Sequence, residues 1–79
     1  MPKKIVLPEY DIDIASELIR RFIHNVEDRD MLLWRLDDGK TFGQIAQLVQ
    51  AKYGVLYEEK TIRDRVHKGE TIVFRHYPG

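Results

Sequence analysis

The chain has no cysteine, no net charge and no long apolar run, and each absence removes a class of function. Without cysteine there is neither disulfide stapling nor a thiolate zinc site, and the chain is compatible with a reducing compartment. No apolar stretch approaches the roughly 20 residues that span a bilayer, so no membrane contact is expected. The start, residues 1–8, is too short and too soon interrupted by Pro8 for a secretory signal, and the expected location is cytoplasmic. With three prolines and five glycines in 79 residues there is no linker, repeat or low-complexity segment. Residues 1–79 therefore read as one domain. A hydrophobic content of 43% supports a single modest core. Dimerisation or well-fitted helical packing would reinforce it.

Catalytic constellations are missing as well. His24, His67 and His76 are far apart and have no Cys or His-x-x-x-His partner, so no metal site is expected. The acidic pairs Asp11/Asp13, Asp28/Asp30, Asp37/Asp38 and Glu58/Glu59 each fall at a predicted helix end, where capping and the helix dipole account for them. Ser16 has no adjacent base, and the glycines form no phosphate-cradling loop. The expectation is a protein that is not an enzyme and has no cofactor.

The 13 basic and 13 acidic residues cancel, yet they are unevenly placed. Residues 1–38 hold 6 Lys/Arg against 9 Asp/Glu, a net −3, while residues 39–79 hold 7 against 4, a net +3. Nucleic-acid affinity owes much to phosphate neutralisation, so zero overall charge argues against an obligatory nucleic-acid coat. The positive half is the part that remains a candidate for such contact.

Hydrophobic periodicity predicts a mainly α, four-helix domain. After an acidic start at Asp11 and Asp13, apolar pairs at 14/15, 18/19 and 22/23 mark the clearest amphipathic helix. Asn25 and Asp28 resemble a second helix start, leading into Met31–Leu36, which is apolar around most of its circumference. Trp34 is expected as a core anchor rather than a stacking platform. Thr41 and Gln44 have capping-box spacing ahead of a third helix, whose Phe42, Ile45, Ala46, Val49 and Tyr53 share one face and which Gly54 should stop. A fourth helix is expected from Glu58 to Lys68, with only Ile62 and Val66 buried, closed by Gly69. Leu18, Phe22, Leu32, Leu33, Trp34, Leu36, Ile45, Val49, Ile62 and Val66 form the expected core. The β-branched and aromatic run Thr71–Tyr77 predicts a short strand, paired either with Lys3–Leu7 in a two-stranded ribbon or with its counterpart in a homodimer.

From Asp30 through Trp34, Gly39, Thr41, Gln44, Ile45 and Ala46, and again at Thr61-Ile62-Arg63-Asp64-Arg65-Val66, the chain resembles trihelical helix-turn-helix domains. These include the promoter-binding C-terminal region of bacterial sigma factors, site-specific resolvases and small phage and plasmid regulators. The resemblance covers residues 28–68. It departs in spacing, because Gly54 comes eight residues after Ala46 instead of four, giving a longer first helix and a looser connection. By this likeness Lys60, Thr61, Arg63 and Asp64 would lie nearest base edges of double-stranded DNA, and Lys40, Thr41 and Lys68 near phosphates. His67, on an exposed helix, is a further candidate for phosphate contact.

Two functions follow. The leading expectation is a small sequence-specific DNA-binding transcriptional regulator of phage, plasmid or bacterial type. The alternative is a protein-binding adaptor, or a modulator of the transcription machinery, that uses the same scaffold without DNA. Composition of the fourth helix favours the first; neutrality and the acidic N-terminal half favour the second.

Overall fold

The computed structural model describes residues 10–78 and contains four α-helices with no strand among them: α1 (Ile12–Phe22), α2 (Val26–Leu36), α3 (Phe42–Tyr53) and α4 (Glu59–Arg75). Three of the helix starts are capped by the side chains that local chemistry prescribes. Asp11 accepts from the Asp13 N–H (2.9 Å) and Asn25 from the Asp28 N–H (3.1 Å). Thr41 Oγ1 accepts from the Gln44 N–H (3.1 Å), while Gln44 Oε1 accepts from the Thr41 N–H (2.9 Å), closing the capping box. Gly54 ends α3 in the left-handed conformation, at φ 71°.

Each helix contributes to one core. Ala15, Leu18 and Ile19 from α1 meet Met31 and Leu32 from α2, Ile45 and Val49 from α3, and Ile62, Val66 and Val73 from α4. Phe22, Leu33, Trp34 and Leu36, expected inside, are half-buried and pack against that cluster from its edge. Ala15, Ile19, Ile23, Met31 and Val73 are buried although they were not in the expected set. An eleven-residue helix such as α2 can seal only one face in a layer this thin, which leaves the remaining apolar side chains at the boundary.

The C-terminal segment differs from the sequence reading. Thr71–Tyr77 is not a strand: α4 runs through Gly69 without interruption and ends at Arg75. Lys3–Leu7, the other half of the expected ribbon, lies outside the described residues. Gly69 and Val73 continue the spacing of Ile62 and Val66, so the four positions form one buried seam. Burial along this seam outweighs the β-propensity of the Thr-Ile-Val-Phe run, as tertiary context commonly does. The unpaired strand edge that motivated dimerisation through Thr71–Tyr77 is therefore absent. Beyond the helix, the Asp11 N–H donates to the Tyr77 hydroxyl (2.6 Å), and Tyr10 donates to the Leu36 carbonyl (2.6 Å). These bonds tie the start of α1 to the ends of α2 and α4.

No helix of the described residues is long and apolar enough to cross a membrane.

Candidate nucleic-acid interface

Because Ile62, Val66, Gly69 and Val73 take the inward side of α4, the opposite side is fixed by geometry. Lys60, Asp64, His67, Lys68, Thr71 and Arg75 recur at three- and four-residue steps, and all are exposed. Arg63 is also exposed, and its nearest carboxylate is the adjacent Asp64 at 4.0 Å, with both side chains half or more in solvent. A pair of that kind is worth little and leaves the guanidinium available. Thr61 is half-buried, on the flank of the helix.

The first turn of α3 lies beside the middle of α4. The Phe42 ring has the Arg35 guanidinium 4.3 Å from its centroid on one side and the His67 ring at 6.3 Å. Thr41 and His67 therefore share one part of the surface. Lys40 is half-buried, its N–H donating to the Trp34 carbonyl (3.0 Å) and its carbonyl accepting from Arg35 (2.9 Å), so its backbone is fixed. The Thr41 oxygen is occupied as a helix cap, but its hydroxyl hydrogen is left to donate. Lys68 lies on the other flank, on the wall of a groove beside His24 and Asn25. The structure thus gathers Thr41 and His67 on one side of α4 and sets Lys68 apart from them.

What holds α4 in place is a residue that sequence reading left without a role. Arg65 Nε donates to Asp28 Oδ1 (2.7 Å), and its other nitrogens donate to Glu27 Oε1 and Asn25 Oδ1 (both 3.3 Å). The Tyr57 hydroxyl donates to the same Glu27 oxygen (2.7 Å), and the guanidinium carbon lies 4.9 Å from the Tyr57 ring centroid. Burial alone would push the Arg65 pKa down; the neighbouring Tyr57 hydroxyl and the Asp28 and Glu27 carboxylates outweigh that and raise it. One side chain consequently fastens α4, the α3–α4 connection and the start of α2. Nothing in the local sequence signals this, since Arg65 and its carboxylates are separated by 37 and 38 residues.

A second bridge secures α3. Lys52 Nζ donates to Asp30 Oδ2 (2.7 Å), and the Tyr53 hydroxyl donates to the same oxygen. Burial pushes the Asp30 carboxyl up, but the Lys52 and Tyr53 hydrogen bonds prevail and hold it below its ordinary value of 3.8. Glu27, Asp28 and Asp30, three of the nine acidic residues in the N-terminal half, are thereby bridged internally by Arg65 and Lys52.

Among the described residues no group of three or more His, Asp or Glu is placed to hold a metal ion. No family model matches the chain, and neither does any curated protein or solved structure.

Proposed function

We propose that the outward face of α4, with the first turn of α3 beside it, binds double-stranded DNA, and that the protein is a small sequence-specific regulator of transcription. In this reading α3 and α4 are the helix-turn-helix pair, joined by Gly54–Glu58, and α4 is the recognition helix. The observation that carries the reading is the continuous exposed face of α4, where Lys60, Lys68 and Arg75 stand with His67, Thr71 and the carboxylate Asp64, while Glu70 lies 3.8 Å from His67 Nδ1 and Glu59 is exposed in the first turn. A 17-residue helix is about 25 Å long, and such a helix fits the major groove. Arg63 would read guanine through O6 and N7, and Asp64 would accept from cytosine N4. Lys60 and Thr61 would lie near bases, with Lys40, Thr41, His67 and Lys68 at phosphates. Arg65 would act on DNA only indirectly, by fixing the pose of α4.

The test is a fluorescence-anisotropy titration against a pool of random-sequence duplexes at two salt concentrations. With the two lysines Lys40 and Lys68 on phosphates, the salt slope should be about −1.8, which is a loss of roughly tenfold between about 50 and about 200 mM salt. Binding without salt dependence, or none at all, would remove DNA from the reading.

The protein-partner reading has one observation of its own. Leu56 is 76% exposed in the α3–α4 connection, and Val26, the first residue of α2, is 57% exposed. If the DNA titration fails, these apolar side chains mark the surface on which a partner protein should be sought.

A further inference from the structure

A groove of about 240 Å³ lies between the C-terminal end of α1, the turn into α2 and the middle of α4. Its base is apolar: Ile23 and Gly69 are buried, and Phe22 and Ile72 are half-buried. The Phe22 ring is held by a parallel stack on the His76 ring, with centroids 3.9 Å apart and planes at 7°. Two carbonyls at the end of α1, which would repel an anion, are already bonded: Arg29 donates to Ile23 and, at 2.8 Å, to Arg20.

Charge on the rim is unbalanced. Among the lining residues Asp28 and Arg65 pair at 2.7 Å, and Glu27, which also bonds Arg65, does not line the groove. Lys68 adds an exposed ammonium that makes no ion pair among the described residues, and the His24 imidazole stands with it. An apolar base under an unmatched cation fits a ligand with one negative group and a compact apolar body. The volume equals roughly eight waters at about 30 Å³ each, which excludes drug-sized molecules and suits an acid no larger than phenylacetate.

We propose that this groove binds a small organic carboxylate, with the carboxylate at Lys68 and His24 and the apolar body over Phe22 and Ile72. Lys68 is shared with the proposed DNA contact, but the groove proposal stands without that reading.

Sodium phenylacetate is the probe, titrated into the uniformly ¹⁵N-labelled full chain in the absence of DNA and followed by amide chemical shifts. The controls are phenylacetamide, which keeps the body without the charge, and acetate, which keeps the charge without the body. Saturating shifts confined to residues 22–28 and 65–72 are expected, with either control binding about tenfold more weakly. Lys68→Gln should weaken phenylacetate by about tenfold, while Lys60→Gln on the same helix should not. Both side chains are exposed, so neither change threatens the fold. Shifts that never saturate, equal binding of acid and amide, or indifference to Lys68→Gln would each overturn the proposal.

Discussion

Leu32 occupies the space that a side chain at position 69 would need: a Cβ on Gly69 would come within 2.6 Å of Leu32 Cδ1 and 3.1 Å of Cγ. Leu32 is fully buried, so it can yield only by shifting against its core neighbours. Replacing a mid-helix glycine by alanine ordinarily gains about 1 kcal/mol of helix propensity. Overpacking a filled core costs about 1–3 kcal/mol. Gly69→Ala should therefore destabilise on balance, seen as a lower urea midpoint. In a Leu32→Ala background the same change should instead stabilise, because the obstruction is gone and the propensity gain remains. A gain in the wild-type background would show that α2 and α4 do not meet at these residues.

The uninterrupted course of α4 makes Thr71 a mid-helix residue, exposed, with its hydroxyl donating to the His67 carbonyl at 3.0 Å. Thr71→Pro should cost about 3 kcal/mol or more, through the lost N–H and the clash with the preceding turn. Far-UV circular dichroism should register the loss of helix. At an exposed position of an edge strand proline would be tolerated, so an unchanged midpoint and spectrum would restore the strand.

Asp30 sets a pH dependence whose direction follows from its lowered pKa. The stabilisation it supplies is complete above the unfolded value near 3.8 and is lost as the pH falls through the lower folded value. The gap in urea midpoint between wild type and Asp30→Asn should be constant from neutral pH down to about 5 and should close in the acid range below about 4. A gap that widened on acidification would contradict the Lys52 and Tyr53 contacts.

Removing the fork of Arg65 leaves Asp28 and Glu27 without their cation. The guanidinium is about three-quarters shielded, at 25% exposure, so the loss is larger than for a surface pair. Arg65→Met should cost about 1–2 kcal/mol. Arg65→Lys should recover little, because one ammonium cannot reach both carboxylates and Asn25 in the planar arrangement. Thermal melts of the two variants check this; equal stability of Arg65→Lys and wild type would mean that charge alone suffices.

For the proposed DNA contact, Arg63→Ala should weaken binding to a selected sequence by about 1–3 kcal/mol and relax its preference, leaving random duplexes nearly unaffected. Lys60→Ala tests the same side of the helix. Lys68→Ala should weaken specific and random duplexes alike and reduce the salt slope by about one. Parallel titrations distinguish the two patterns. If Arg63→Ala leaves specificity intact, α4 is not reading bases.

The amino-acid order by itself determined where three helices begin. Asp11, Asn25 and Thr41 cap donors only two or three residues away, so the chemistry is complete within one turn of chain. It likewise determined the stop at Gly54 and the burial of Ile45, Val49, Ile62 and Val66, because periodicity within one helix assigns a face without reference to its neighbours. The exposed face of α4 was readable for the same reason, at Lys60, Arg63, Asp64, His67 and Lys68. Gly69 was different. After Lys68 it has the sequence signature of a helix stop, and only the approach of Leu32 from α2 makes it an interior residue with no room for a side chain. Once α4 continues, Val73 finds the core and Thr71–Tyr77 loses its strand, since buried area across the molecule exceeds the local β-preference. Arg65 and the groove beside Lys68 were equally illegible, because their partners are brought from α1 and α2 by packing. Capping and periodicity act over a few residues and are written in the order of the chain; close approach and long-range ion pairing depend on what stands opposite, which only the tertiary structure decides.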